Sequence, residues 1–302
     1  MFRIVFHKVF IIHDKLCRQG LFYFNVYGTG TISIVYEDYY KYDKYQKGDL
    51  RMYTGNYECL ELFVKPDEGK KGSVLLKNVK ESTTETKKLK HIYGNWIKFP
   101  VSRNTEYEIS TQDCTITFAY LSECENIMEN GICVLDTTDN YKEMNKEEFL
   151  RFIDTPYREQ YHFSPVVNWN NDPNGLCWFK GYYHLFYQLN PFGQEWNNMY
   201  WGHAASKDLV HWTHLPVVLE PQEEILDNLA IKGGAFSGSA LPMGDEVYFY
   251  LTRHIGPQDD GWDTIQYQTM TKSSDMIHFE PEKEIIREKP EGTNYDFRDP
   301  KA

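Results

Sequence analysis

The sequence predicts an all-β protein, in which a β-sandwich-like N-terminal domain precedes part of a β-propeller. Short apolar segments alternate with turn sequences, and a hairpin-containing pattern occurs twice in the second half of the chain. Aromatic residues make up 16% of the 302 residues. Tyr and Trp favour strands, and flat rings also stack on sugars, so this composition fits both an all-β fold and carbohydrate binding.

The acidic balance of the chain argues against nucleic-acid binding. The formal net charge is −12, whereas phosphate backbones are bound by clustered Lys and Arg side chains. No stretch approaches the ~20 apolar residues of a membrane helix, and the N-terminus lacks the cleavage site of a signal peptide. We therefore expect no nucleic-acid or membrane partner and a cytoplasmic location, with the oligomeric state left open.

Residues 1–145 are predicted to form a β-rich N-terminal domain. Their apolar segments are separated by Gly-Asp, Gly-Asn and Pro-Asp pairs, which favour turns. The polar segment Lys80–Lys90 is expected to be a solvated loop or an edge strand. We expect strands at Thr31–Tyr36, Leu60–Val64, Ser73–Leu76, Trp96–Val101 and Thr115–Tyr120.

A short helical linker is predicted at residues 146–156. Asn145 is placed to cap this helix, with Glu148 completing a capping box, and Thr155-Pro156 would end it. The linker separates the N-terminal domain from residues 157–302, which we assign to an incomplete β-propeller.

A repeated pattern after residue 175 predicts propeller blades. The predicted hairpins are Leu176–Phe179 with Tyr182–Gln188, and Ser239–Pro242 with Val247–Leu251. A matched heptapeptide follows each hairpin, Ser206–Trp212 and then Ser273–Phe279, and their aspartates are 275 − 208 = 67 residues apart. Strands that recur at such a period are typical of propeller blades, although two short turns could also be alike by chance.

Asp172 is the first candidate catalytic residue. It lies in the segment Trp169–Gly175, WNNDPNG. A carboxylate that accepts hydrogen bonds from amides and a tight turn stays ionised, and an ionised carboxylate can act as a nucleophile on a sugar. The same residues are also ordinary turn-forming sequence directly before a strand, so the segment alone leaves both interpretations open.

Further candidate residues lie in two other motifs and one loop. In Phe236–Ser239 (FSGS), Gly lets backbone and hydroxyl groups approach a ligand, although small residues also pack closely in strands. In Phe297–Pro300 (FRDP), the Arg-Asp pair could bind neighbouring hydroxyls or form a surface ion pair. Gln188 ends a predicted strand, and Trp196 could form one wall of a pocket.

Taken in order, these motifs resemble glycoside hydrolase family 32. NDPNG, YHLFYQLNPFG, WGHAASKDLVHW, FSGS and FRDP follow one another between about Tyr157 and the end of the sequence. The resemblance implies a five-bladed propeller, of which two blades and the start of a third are present. It also implies hydrolysis of β-fructofuranosyl bonds in sucrose, inulin or levan with retained configuration, without a metal or an organic cofactor.

The resemblance implies a role for each matching position. Asp172 would be the nucleophile, Asp299 would stabilise the oxocarbenium-like transition state through fructose hydroxyls, and Arg298 would support that site. Asn170 stands where the family usually has Met, a departure that concerns only local packing. The other residues lining the fructose pocket would be Asn171, Gln188, Trp196, Phe236 and Ser237.

Retaining hydrolysis also needs a second carboxyl group, about 5 Å from the first, as acid and base. In the family this is the Glu of a Glu-Cys pair after Arg-Asp-Pro, whereas Glu58-Cys59 and Glu123-Cys124 both precede Asp172. We therefore expect an incomplete β-fructosidase that is inactive by itself. The alternatives are a non-catalytic fructan- or carbohydrate-binding module and a five-bladed glycosidase that acts on pentose-containing glycans.

Overall fold

The computed structural model describes residues 22–26, 32–36, 50–137, 142–143, 154, 158–159, 161–256, 264–294 and 296–302. Among these residues the regular elements are antiparallel strands and two four-residue helices, which confirms the all-β class. Neither helix approaches the length and hydrophobicity needed to cross a bilayer. The chain divides into two compact units, Met1–Gly48 and Asp49–Ala302.

In the first unit, β1 (Phe22–Val26) and β2 (Ile32–Tyr36) pair as an antiparallel hairpin. The second unit begins with two sheets, here called the N-terminal sheets. Their strands are β3 (Leu50–Tyr53), β4 (Cys59–Pro66), β5 (Ser73–Asn78), β6 (Thr84–Lys88), β7 (Asn95–Pro100), β8 (Glu106–Gln112), β9 (Cys114–Ser122), β10 (Cys133–Asp136) and β11 (Lys142–Glu143). One sheet has the order β3-β8-β5-β6 and the other β11-β10-β9-β4-β7.

The N-terminal sheets share one hydrophobic core. Successive side chains of a strand point to opposite faces, so β5 alternates partly buried residues with buried Val74 and Leu76. These two residues belong to one cluster with Leu62 and Phe99 of the other sheet. Two sheets around one core are compatible with the predicted sandwich, whose detailed arrangement stays a prediction.

The predicted linker at residues 146–156 lies outside the described residues except for Asp154. The predicted domain boundaries at this linker therefore stay predictions. The segment expected to be a solvated loop or edge contains β6, an almost fully exposed strand at a sheet edge. The single-turn helix α1 (Ile127–Asn130) lies between β9 and β10.

Two four-stranded sheets of the same design form the C-terminal part. Sheet I contains β12 (Trp169–Phe179), β13 (Tyr182–Asn190), β14 (Tyr200–Ser206) and β15 (Trp212–Leu219). Sheet II contains β16 (Lys232–Met243), β17 (Glu246–Gly256), β18 (Ile265–Ser273) and β19 (Lys283–Ile286). In each sheet the strands pair in chain order, and α2 (Glu223–Leu226) lies between the sheets in sequence.

Both predicted hairpin turns are present. Lys180 and Gly181 have φ values of 46° and 87°, and positive φ at both central residues suits the twist of a two-residue hairpin. Gly244, the first central residue of the other turn, has a φ of 64°. The first strands are longer than predicted, since β12 and β16 each begin seven residues earlier than expected.

The two heptapeptides fold alike. Asp208 Oδ1 accepts hydrogen bonds from the N–H groups of Val210 and His211 at 2.9 and 2.8 Å, and its Oδ2 lies 2.7 Å from His211 Nδ1. The second heptapeptide repeats all three contacts around Asp275 at the same distances. The likeness of the two segments is therefore structural and not a chance similarity.

Sheet I is covered on both faces. On one face, Phe186 and Trp201 pack with Phe249 and Leu251 of sheet II. The other face packs against the N-terminal sheets, in a cluster that contains Phe63, Phe118, Tyr120, Leu185, Tyr187, Leu189 and Tyr200. Because neighbouring residues of β13 point in opposite directions, this one strand contributes to both interfaces.

Two buried histidines lie on the face of sheet I that meets sheet II. His184 Nδ1 is 3.0 Å from His203 Nε2, and the His203 ring stacks on Phe186 with ring centroids 4.1 Å apart. Burial lowers the pKa of His184 to about 4, although a hydrogen bond to the Phe179 backbone opposes this shift. Burial, with the nearby His184, also lowers the pKa of His203 well below its usual value.

We predict that acidification destabilises the fold through these histidines. Between pH 6.5 and 4 the unfolded chain binds a proton at His184 that the folded chain does not, so stability is full above this range and falls within it. The free energy of unfolding should decrease by about 2 kcal/mol for His184 alone between pH 7 and 5. Urea denaturation at pH 7, 6 and 5 measures this change.

The matched controls are two substitutions. His184→Gln should reduce the dependence of stability on pH, whereas His162→Gln should leave it unchanged because His162 is exposed. A wild-type free energy of unfolding that stays constant between pH 7 and 5 would contradict the prediction.

Candidate active site

The segment NDPNG lies inside β12, which corrects the expectation of a turn before a strand. The pairing with β13 shifts between Asn170 and Pro173. As a result, Asn171 and Asp172 together stand opposite Gln188, in a β-bulge that bends the strand. A Pro is tolerated in an edge strand at a bulge, and β12 is the edge of sheet I.

The FSGS segment forms the same bulge in sheet II. The pairing of β16 with β17 shifts between Ala235 and Gly238, so Phe236 and Ser237 stand opposite Thr252. A side chain at position 238 would collide with the backbone of the neighbouring strand β17, which explains the Gly there. The two bulges occupy equivalent positions of the repeat. Their first residues, Asn171 and Phe236, are 236 − 171 = 65 residues apart, and the residues opposite them, Gln188 and Thr252, are 252 − 188 = 64 residues apart.

The bulges bring Asp172 and Ser237 into contact. Ser237 Oγ donates a hydrogen bond to Asp172 Oδ2 at 2.9 Å. Hydrogen bonds to an ionised acceptor are stronger than neutral ones, so Ser237 orients this carboxylate. Asp172 is exposed and Ser237 partly buried, which leaves the carboxylate accessible to a ligand.

Gln188, opposite the first bulge, holds β16, the strand that carries the second bulge. It is only 3% exposed, and its Nε2 donates to the Ala235 carbonyl at 2.9 Å. Trp201 Nε1 donates to the same carbonyl at 3.0 Å. Since Ala235 directly precedes Phe236, Gln188 fixes the position of one bulge relative to the other. The predicted contact of Gln188 with a sugar stays a prediction.

Thr252, opposite the second bulge, holds the segment that carries Asp299. Its fully buried Oγ1 accepts a hydrogen bond from the Asp299 N–H at 3.0 Å and donates to Gln268 Oε1 at 2.7 Å. Gln268 Nε2 in turn donates to the Phe297 carbonyl at 2.8 Å. Two buried side chains of sheet II therefore dock residues 297–299.

Asp299 adopts an unusual backbone conformation near Asp172. Its φ of 61° lies in the left-handed region, which few non-glycine residues occupy. Partial burial raises the pKa of Asp299, the Arg298 guanidinium 3.9 Å away lowers it, and the charges of Asp172 and Asp296 raise it further. The carboxylates of Asp172 and Asp299 are thus close enough to interact electrostatically. Arg298 also pairs with Asp296.

Two of the predicted pocket residues, Phe236 and Trp196, are aromatic. Phe236 stacks in parallel on the buried ring of His254, with ring centroids 4.3 Å apart. Burial, together with the charge of Arg298, lowers the pKa of His254 to about 4, so this ring is neutral at pH 7. Trp196 lies on the loop between β13 and β14, where Lys232 Nζ is 5.9 Å from its ring centroid.

A cavity of about 680 Å³ lies away from these residues. Its lining includes Glu61 of the N-terminal sheets, Phe179 and Ile277. Phe179 is at the opposite end of β12 from Asp172, a separation of roughly 20 Å along a strand. The residues of the candidate active site around the bulges are therefore distinct from the lining of this cavity.

Comparison with known proteins agrees with the motif order. Residues 162–302 match the family model for the glycosyl hydrolases family 32 N-terminal domain. This part of the chain belongs to glycoside hydrolase family 32. Sucrose-6-phosphate hydrolase from Zymomonas mobilis is 39% identical over 162 residues, which are 53% of this chain and 31% of that protein. Levanase from Bacillus subtilis is 56% identical over 90 residues, which are 30% of this chain and 12% of that protein.

A solved family 32 structure, from Bifidobacterium adolescentis, has a TM-score of 0.77 and 34% sequence identity. The match covers 84% of this chain and 42% of that chain. Residues 162–302 make up less than half of the chain, so a match over 84% of the chain also includes the N-terminal sheets. The matched part of this chain spans about a third or less of the length of the two curated relatives above.

Sequence reasoning did not identify Thr252 and Gln268 as part of the candidate site. The available signal was the repeat itself, since Thr252 is the position in sheet II that corresponds to Gln188 in sheet I. A polar residue at that point of an otherwise apolar strand indicates a buried hydrogen-bond partner from elsewhere in the chain. The predicted pocket residue Asn171 is exposed in the first bulge.

We predict that Thr252→Val releases residues 297–300 from sheet II. The substitution leaves the Asp299 N–H and Gln268 Oε1 without this partner and should destabilise the fold by about 1–3 kcal/mol. Amide hydrogen exchange at residues 297–300, followed by mass spectrometry, should become faster than in the wild type.

Thr271→Val is the matched control for this experiment. Thr271 is 1% exposed, and its Oγ1 donates to the Glu280 carbonyl at 2.6 Å, away from residues 297–300. This variant should lose comparable stability while residues 297–300 keep their protection. Equal exchange of this segment in both variants would show that Thr252 does not hold it.

Proposed function

We propose that this chain carries the fructose-binding part of a retaining β-fructosidase. The observation that supports this most directly is the hydrogen bond from Ser237 to Asp172, in a site shared with the carboxylate of Asp299. The names of the relatives, sucrose-6-phosphate hydrolase and levanase, support a substrate that contains a fructosyl unit. The proposed substrates are therefore sucrose, its 6-phosphate, or fructans.

In the proposed reaction, Asp172 is the nucleophile. Its carboxylate forms an ester with the anomeric carbon of fructose while the bond to the leaving-group oxygen breaks, and that oxygen takes a proton from a carboxylic acid. Water then attacks the ester, gives its proton back to the same carboxylate, and restores Asp172. The acid/base carboxyl group is assigned to no residue of this chain.

Asp299 is proposed to stabilise the transition state. Positive charge develops on the sugar ring as the glycosidic bond breaks, and a preorganised carboxylate at the ring hydroxyls stabilises that charge. Thr252 holds the Asp299 backbone in place before substrate arrives, which is the preorganisation that this role needs. Arg298, beside it, supplies donors for the same hydroxyls.

Five residues are proposed to line the fructose pocket around these carboxylates. Ser237 orients the nucleophile, and Phe236 forms a flat wall that is supported by the neutral His254 ring. Asn171 and Trp196 would contact the sugar from the first bulge and the adjoining loop. Gln188 lies beneath, where its hydrogen bond to Ala235 sets the spacing of the two bulges.

We further propose that sheets I and II are the first two blades of a five-bladed propeller, with residues 297–302 leading into a third. The support is the shared strand order, the matching bulges and the matching hydrogen bonds of the two heptapeptides. Blades that stack around a central axis would direct both bulges to one funnel.

We predict that Asp172→Asn abolishes fructose release by the full-length natural protein. An amide cannot form the fructosyl ester, so kcat/KM should fall by about 10⁴-fold or more. Sucrose, sucrose 6-phosphate, inulin and levan are assayed for released fructose. Asp245→Asn, in the exposed turn between β16 and β17, should keep wild-type activity. Wild-type turnover by Asp172→Asn would refute the assignment of the nucleophile.

A milder change is predicted for Ser237→Ala. Loss of the hydrogen bond to the carboxylate should reduce kcat/KM by about 10- to 150-fold, since such a bond contributes about 1.5–3 kcal/mol. Unchanged kcat/KM would exclude Ser237 as the residue that orients Asp172. If the wild-type protein binds fructose but releases none from any substrate, the alternative of a carbohydrate-binding module would be favoured.

A further inference from the structure

The loop between β13 and β14, residues 191–199, is held at its base by a residue of the N-terminal sheets. Tyr93, in the turn before β7, is only 8% exposed, and its Oη donates to Asn190 Oδ1 at 3.2 Å. Burial raises the pKa of Tyr93, and the nearby Asn198 backbone lowers it. Tyr93 therefore contacts the start of this loop, which we call the Trp196 loop after the residue it carries.

Asn190 extends the contact with Tyr93 into the loop. Asn190 is 2% exposed, its Oδ1 also accepts the Phe192 N–H at 3.1 Å, and its Nδ2 donates to the Glu195 carbonyl at 2.8 Å. Glu195 directly precedes Trp196. The backbone next to this Trp is thus connected to Tyr93 through a single buried amide side chain.

Two more contacts join the N-terminal sheets to the same loop. Thr117 Oγ1, in β9, donates to the Pro191 carbonyl at 2.9 Å. The Phe192 ring lies so close to Gly94 that any side chain there would collide with it. The rings of Tyr93 and Phe192 meet edge to face, with centroids 5.5 Å apart. The N-terminal sheets thus contact the loop through two separate elements, the turn before β7 and β9.

The other end of the loop is tied to the strand that carries the second bulge. Asn198 Oδ1 accepts the Gly233 N–H at 3.1 Å, and Met199 bridges to Gly234. These contacts lie just before Phe236 in β16. The Trp196 loop therefore spans the N-terminal sheets, sheet I and sheet II, and a shift at Tyr93 would be passed to the proposed fructose pocket.

We infer that Tyr93 is a positioning residue, through which the N-terminal sheets hold Trp196 and set the substrate affinity of the site. The part concerning affinity rests on the proposed function. A merely structural Tyr hydroxyl would contribute to stability alone. A positioning hydroxyl also restrains the Trp196 loop and keeps its side chain where a bound sugar meets it.

The test compares Tyr93→Phe with Tyr107→Phe in the full-length natural protein. Tyr107 is 7% exposed in the core of the N-terminal sheets, and its hydroxyl accepts the Ser102 N–H at 2.9 Å. Each variant loses one buried hydroxyl, but only Tyr93 touches the Trp196 loop. The thermal unfolding midpoints of both variants are measured to establish that the two substitutions reduce stability by similar amounts.

The first readout is amide hydrogen exchange of residues 191–199, which should become faster in Tyr93→Phe and stay unchanged in Tyr107→Phe. The second is kinetics with sucrose, where Tyr93→Phe should raise KM by about 3- to 10-fold, the effect of one lost hydrogen bond. Its kcat should change less than KM, and Tyr107→Phe should alter neither value. Unchanged exchange of the loop in Tyr93→Phe, or unchanged KM, would overturn the inference.

The two readouts separate this inference from the proposed function. A wild-type protein that releases no fructose from any substrate overturns the proposed function before any variant is compared. The exchange measurement requires no substrate, so it decides by itself whether Tyr93 restrains the loop.

Discussion

Each buried polar side chain opposite a bulge needs a hydrogen-bond partner, and this need determines the geometry of the site. An unpartnered buried donor or acceptor costs about 1–3 kcal/mol, so the segment that supplies the partner is held firmly. Gln188 takes its partner from Ala235, and Thr252 takes its partner from Asp299. The same device thus works twice: Gln188 of sheet I positions the second bulge, and Thr252 of sheet II positions the second carboxylate.

Burial of sheet I on both faces gives this arrangement a rigid base. Because successive side chains of a strand point to opposite faces, Phe186 packs toward sheet II and Tyr187 toward the N-terminal sheets. The strand that carries Gln188 therefore cannot shift without disturbing two hydrophobic cores. This packing also explains how residues far from the bulges, such as Tyr93, contact the loop next to the site.

Local chemistry misled the sequence analysis at one point. Pro and Asn in NDPNG favour a turn, yet the segment belongs to β12, because an edge strand accommodates Pro and a bulge absorbs the extra residue. Thr252 and Gln268 were missed for a different reason. Thr252 binds Asp299, 47 residues away, and its only signal was its correspondence to Gln188 in the repeat, which does not reveal the partner.

The sequence by itself determined the all-β class, both hairpins, the repeat and the family to which residues 162–302 belong, because each depends on short-range periodicity, turn chemistry or ordered motifs. It also singled out Asp172 and Asp299 as candidates. Only the tertiary structure decided that Ser237 orients Asp172, that Thr252 holds Asp299, and that Tyr93 reaches Asn190, 97 residues away. These contacts form only when separate sheets pack together. No single stretch of sequence specifies which distant segments will meet.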